Sequence, residues 1–296
     1  MKILRATNAG FCWGVERAIN IAQKIAEEQK RSVMTDGPLI HNEQMMGQLK
    51  AQGIQEVGDF QSRSKLDLNK ENQEDAHLVI RAHGISPQRR QYLKGLGVPI
   101  RDATCPDVGI IASRVRSHAK KGYQIVIFGD KTHPEVIGLM GYAPNCSHVV
   151  YSLEDVDALP PLGDRVCLVS QSTMFTDDFN QVSLQLQKQY KDLLIFDTIC
   201  GATKDRQADI QKLCEQGAEA IVVIGGYHSA NTKKLAALAK RRGLPTYHVE
   251  TKAQIDLNEM KQYAVVGVTA GASTPGFIID AVCSTLQAID PAKGKA

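Results

Sequence analysis

Three cysteines stand almost one fixed interval apart in this 296-residue chain: Cys12, Cys105 and Cys200, separated by 93 and 95 residues. Each follows a short apolar or β-prone run (ILRATNAGFC, PIRDATC, LLIFDTIC) and precedes apolar residues at helical spacing (VERAINIAQKIAEEQ, VGIIASRVRSHAKKG, KDRQADIQKLCEQG). Three thiolates can hold zinc or an iron–sulfur cluster, or be core residues multiplied by duplication. Structural zinc usually takes closely paired ligands, whereas one cysteine per repeat suits a larger cluster where repeats meet. With three cysteines, a [4Fe–4S] cluster keeps one iron open as a Lewis acid. The other four cysteines, Cys146, Cys167, Cys214 and Cys283, read as small hydrophobes, and no CxxC pair is present.

Polar residues recur with the cysteines. About 28 residues after each comes a second strand ending in a polar cluster with His41, His133 or His228, and a third strand delivers His83, Ser172 or Ser273. His41, His83, Ser229, Asn231 and Ser273, with Gly10, Gly84, Gly225, Gly226 and Gly271 nearby, are short donors suited to a phosphate or diphosphate. Neither a Walker A sequence nor GxGxxG occurs. Glu135, two residues after His133 at the start of an expected helix, is the candidate general acid; its other reading is a first-turn glutamate stabilising the helix dipole.

The elements that must position these residues are strands and helices in alternation, which implies small parallel-sheet α/β units with ligands beyond the carboxyl ends of the strands. Length alone suggests about two domains, but the cysteine spacing divides the chain into three. The expected units are 13–104, 105–197 and 198–283, the last completed by the N-terminal strand 1–12, with a C-terminal tail at 284–296. Packed about a pseudo-threefold axis, the three cysteines face a common centre. Residues 59–75, with eight charges, read as a surface loop or short exposed helix, and DPAKGKA as a frayed end.

Composition narrows the function classes. The net charge is 35 − 32 = +3 and aromatics make up 5%, so neither a nucleic-acid partner nor a membrane surface is expected. No apolar run approaches the roughly 18 residues of a membrane span, and Arg5 interrupts the place of a signal peptide. An odd number of cysteines (7) without an export signal argues against a disulfide framework, and the expected location is cytoplasmic.

GFCWGVERA, DATCP, THPEV, SQST, GYHSANT and VTAGAST together resemble the motif set of the 4-hydroxy-3-methylbut-2-enyl diphosphate reductase (LytB) family, in order and from Gly10 to about Asp280. The resemblance implies a trefoil of three α/β units around a central [4Fe–4S] cluster, one per chain, held by Cys12, Cys105 and Cys200. It also implies the last step of the methylerythritol phosphate route to isoprenoids. There an allylic alcohol diphosphate is reductively dehydrated to isopentenyl and dimethylallyl diphosphates, the open iron binding the substrate hydroxyl. In the family pattern His41, His83, Ser229, Asn231 and Ser273 hold the diphosphate, His133 stands alongside, Glu135 supplies protons and Ser172 keeps a hydroxyl where threonine is usual.

Ala230 stands where a second serine is common, His228 where asparagine is, and PDVGIIASR lacks the usual lysine pattern. Electrons come from an external ferredoxin or flavodoxin, since the chain has no flavin or nicotinamide motif. A non-redox iron–sulfur hydro-lyase acting on a small phosphorylated alcohol is the alternative enzyme, and a sensor or structural zinc protein the non-enzymatic one.

Overall fold

The computed structural model describes residues 1–29, 32–58, 66 and 76–290. The polar stretch 59–75 therefore lies outside the described residues apart from Leu66, as does the DPAKGKA end apart from Asp290. Twelve strands occur among the described residues: β1 (Lys2–Arg5), β2 (Ser32–Thr35), β3 (Ile54–Glu56), β4 (Ala76–Ile80), β5 (Ile100–Asp102), β6 (Gln124–Phe128), β7 (Ser147–Val150), β8 (Arg165–Ser170), β9 (Asp192–Ile195), β10 (Ala220–Ile224), β11 (Thr246–Val249) and β12 (Val265–Ala270).

They form three four-stranded parallel sheets of one design, ordered β3-β2-β4-β5, β7-β6-β8-β9 and β11-β10-β12-β1. In each, one outer strand is the one that leads into a repeat cysteine: β5 toward Cys105, β9 toward Cys200, and β1, the chain's first strand, toward Cys12. The opposite outer strands β3, β7 and β11 were not expected from the sequence. They are short, and half or more of their residues are partly exposed, so they lack the apolar run that marks an inner strand.

Inner strands look different because helices cover both faces of a parallel sheet. The strands β4 (AHLVI) and β10 (AIVVI) are buried at every position. The helices following the repeat cysteines, Trp13–Gln29, Pro106–Lys120 and Gly201–Glu215, are the ones their apolar spacing predicts. The last helix, Gly276–Gln287, continues past residue 284, where a tail was expected, because Leu286 is fully buried in the core beside Val282 and Ile279.

By contacts the chain divides into two compact units. One comprises Met1–Trp13, His41–Met45 and the chain from Gly201, and holds the β11-β10-β12-β1 sheet; the other comprises Gly14–Ile40 and Met46–Cys200 and holds the other two sheets. Among the described residues no helix is long and apolar enough to cross a membrane.

Candidate functional site

The second and third strands of each period end side by side. Thr35 pairs with Val79, Phe128 with Ser170, and Ile224 with Ala270. The segments leaving them therefore emerge together at the carboxyl edge, where α/β sheets bind ligands. All the polar residues singled out by spacing lie on these segments or the helix starts just beyond.

The three cysteines occupy the same backbone station. The Cys105 N–H donates to the Ala82 carbonyl at 2.9 Å, the Cys200 N–H to Ser172 at 3.0 Å, and the Cys12 N–H to Ala272 at 3.1 Å. Each acceptor lies two residues past the end of the third strand, β4, β8 or β12. One loop thus fixes the cysteine and presents His83, Ser172 or Ser273, which either follows the acceptor or is the acceptor residue itself.

All three cysteines are half-buried thiols at or beside a helix N-terminus, and Cys105 makes no capping bond with its side chain. Cys167 and Cys283 are buried instead. Burial pushes the Cys167 thiol up to about 12, slightly opposed by Arg114, and raises those of Cys146, Cys214 and Cys283. The positions of Cys12, Cys105 and Cys200 at helix N-termini suit a group that takes thiolates.

In the unit with two sheets, four predicted residues form a contiguous chain. His133 caps the helix Pro134–Met140, its Nδ1 accepting the Glu135 N–H at 3.2 Å. The Glu135 side chain is 1% exposed. One carboxylate oxygen accepts the Ser172 N–H at 2.7 Å, and the other accepts the Ser172 hydroxyl at 2.6 Å. The rings of His83 and His133 meet edge to face with centroids 5.5 Å apart. A cleft of about 390 Å³ is lined by His83, Cys105 and Glu135, with Arg17, Arg90 and Arg116 among its cations. A buried carboxyl at the end of a hydroxyl, beside a polar cleft, can hold a proton and pass it along that bond.

In the other unit Ser229 caps the helix Ala230–Arg241, its hydroxyl accepting the Thr232 N–H at 3.3 Å. Asn231 in the first turn is 7% exposed, and its Nδ2 has no hydrogen-bond partner. A buried donor left unmade costs about 1–3 kcal/mol, which an anion's oxygen removes. The Ser273 hydroxyl donates to the His41 carbonyl at 3.1 Å. Gly225 lies at φ +143, and a Cβ there would stand 2.6 Å from the Thr274 hydroxyl; one on Gly226 would stand 2.9 Å from the His41 carbonyl. Only glycine lets the backbone run this close. His228, at nearly the same offset as His41 and His133, is exposed.

The family description "LytB protein" matches residues 3–287. The chain belongs to the LytB family. Among LytB relatives, the 4-hydroxy-3-methylbut-2-enyl diphosphate reductase of Opitutus terrae is 58% identical over 290 residues, covering 98% of this chain and 100% of that one. The reductase of the same name from Aquifex aeolicus is 37% identical over 291 residues, covering 97% and 96%. A solved LytB structure, the E-1-hydroxy-2-methyl-but-2-enyl-4-diphosphate reductase of Plasmodium falciparum, superposes with a TM-score of 0.87 at 29% identity, covering 96% of this chain and 87% of that one. A second, described as the terminal enzyme of the non-mevalonate pathway, gives 0.69 at 35% identity, covering 97% and 99%.

Beyond the LytB motif residues, the structure adds side chains that spacing did not single out. Arg81 is fully buried with Nη2 3.0 Å from Nδ1 of His83. Its signal in the sequence was a cation inside the apolar run LVIRAHG. Asn42, 3% exposed, caps the helix Glu43–Ala51 through Oδ1, which accepts the Met45 N–H at 2.8 Å. Arg206, 3% exposed, donates to the Gly10 carbonyl and so ties the helix after Cys200 to the loop before Cys12. Asn42 carries a local signal, an N-cap residue type just before a helix, whereas nothing local marks Arg206, whose partner Gly10 lies far away in sequence.

Proposed function

We propose that this LytB-family chain reductively dehydrates 4-hydroxy-3-methylbut-2-enyl diphosphate to isopentenyl and dimethylallyl diphosphates, the terminal step of the non-mevalonate route. One substrate, two electrons and two protons give one product and one water. The observation that carries the reading is the common backbone station of Cys12, Cys105 and Cys200, which suits a [4Fe–4S] cluster held by three thiolates. Bound there, such a cluster supplies electron transfer and a Lewis-acidic iron.

The chain's own residues do the rest. Ser229, Asn231 and Ser273, with His41 and His83, hold the diphosphate, and the orphaned Asn231 Nδ2 is the donor most in need of an acceptor. Glu135 holds a proton in a water-poor site and delivers it toward the departing hydroxyl through the Ser172 Oγ, 2.6 Å away. His133 fixes the first turn that carries Glu135. Two electrons arrive from an external one-electron carrier of ferredoxin or flavodoxin type. A reducing cytoplasmic location suits seven cysteines held as thiols.

Metal and sulfide analysis of anaerobically purified protein tests the cluster: about four iron and four sulfide per chain are expected, and one zinc without sulfide refutes it. Turnover of the allylic diphosphate must also require reductant. Dehydration without any reductant would make the chain a non-redox hydro-lyase.

A further inference from the structure

Arg81 belongs to no element of the mechanism above, yet it is the largest fully buried side chain among the described residues. It leaves β4 directly after Ile80, beside the end of β2, where Asp36 follows Thr35. Asp36, also fully buried, accepts both Nε and Nη2 of Arg89 at 2.8 Å. Burial lowers Arg81 to about 10, opposed by the charges of Asp36 and Glu56, so it remains a guanidinium near neutral pH. Burying a guanidinium costs desolvation that neighbouring carboxylates offset only in part.

What it does follows from donor arithmetic. A guanidinium has five N–H donors and no acceptor. Its Nη2 lies 3.0 Å from Nδ1 of His83, so that nitrogen is the acceptor and carries no proton. The ring's proton must then sit on Nε2. Adding a second proton to Nδ1 would point two donors and two positive charges at each other. His83 is half-buried, lines the cleft with Cys105 and Glu135, and packs edge to face on His133.

We infer that Arg81 is a positioning residue for the substrate: it locks His83 as the neutral tautomer protonated on Nε2, so that the ring meets the diphosphate as an N–H donor. The inference rests on the reading of His83 as a diphosphate contact. It also gives the buried charges at the ends of these strands a purpose, since the charge of Asp36 helps to keep Arg81 cationic while Arg89 holds the Asp36 carboxylate.

The tautomer can be read directly from 15N-histidine spectra of the full-length protein near neutral pH, with the His83 signals assigned through His83→Gln. The expected result is a proton on Nε2, and a shift of those signals on adding inorganic diphosphate. Arg81→Lys, which still only donates, keeps both. Arg81→Gln offers an acceptor as well as a donor, so His83 becomes a tautomer mixture and inorganic diphosphate binds about tenfold more weakly.

A proton on Nδ1 in the wild-type protein overturns the inference, with no variant needed. So does an unchanged tautomer and affinity in a folded Arg81→Gln protein. An Nε2-protonated His83 that ignores inorganic diphosphate overturns instead the substrate reading beneath it.

Discussion

The most exacting residue among those described is Glu135, because a single residue, Ser172, reaches both oxygens of its buried carboxylate. Ser172 satisfies one oxygen from its backbone and the other from its hydroxyl. Glu135→Gln keeps the shape, and its amide can reproduce both contacts, but it has no proton to give. Turnover should fall by about 10²-fold or more, with KM little changed. Steady-state kinetics with the allylic diphosphate check this, and a full-rate Gln variant would reduce Glu135 to a first-turn helix residue. Thiol reactivity gives a second residue-scale outcome. With Cys167 pushed up to about 12 by burial, its thiolate fraction at pH 8 is only about 10⁻⁴. Alkylation of the native protein followed by mass spectrometry should label half-buried Cys146 well before Cys167, and equal rates would contradict the burial argument.

At the scale of elements, the sheets are stabilised by largely buried inner strands, β4 and β10 at every position. Leu78 in β4 is fully buried with Leu93 and Ile80 in its cluster. Leu78→Ala should cost about 2–5 kcal/mol, read as a lower urea midpoint; a loss under 1 kcal/mol would mean that the site collapses to fill the void. These inner strands, the helices after each cysteine and the polar residues at strand ends were legible in the sequence, because each carries a local signature: an apolar run, a 3.6-residue spacing, or a polar residue just past a strand, the histidines about 28 residues after each cysteine. The outer strands β3, β7 and β11 were not, since a short half-exposed strand has neither a clean alternation nor an apolar run. Arg81 was marked only as a cation inside LVIRAHG. A cation after LVI reads as the end of a strand, and only the neighbouring strand end at Asp36 reveals why a charge can be buried there. The backbone station shared by the three cysteines was foreshadowed by their spacing, but the carbonyls that hold them, on Ala82, Ser172 and Ala272, are set by strand register and not by residue type.

The scale of the whole molecule adds a constraint that no single repeat shows. The sheet β11-β10-β12-β1 is closed by the first residues of the chain: Lys2 pairs with Val265 and Arg5 with Val268, while the terminal amine donates to the Ile289 carbonyl at 2.9 Å. Met1 and Ile3 pack on the core around Val266 and Val268, and Leu4 on the one around Val223. Ends of the chain more than 260 residues apart must therefore meet before this unit is complete, a closure that costs entropy and slows folding. The other unit has no such demand, because its two sheets draw on residues 32–195 alone. Removing residues 1–5 should consequently act on one unit only. It strips a whole strand of ladder bonds from β12 and uncovers apolar side chains of two cores. Hydrogen-exchange mass spectrometry of the truncated protein should show faster exchange in β10 and β12 with protection retained in β6 and β8. Equal loss in all four strands would show that the two units unfold as one cooperative body, and that the N-terminal strand stabilises the entire chain and not just the sheet it completes.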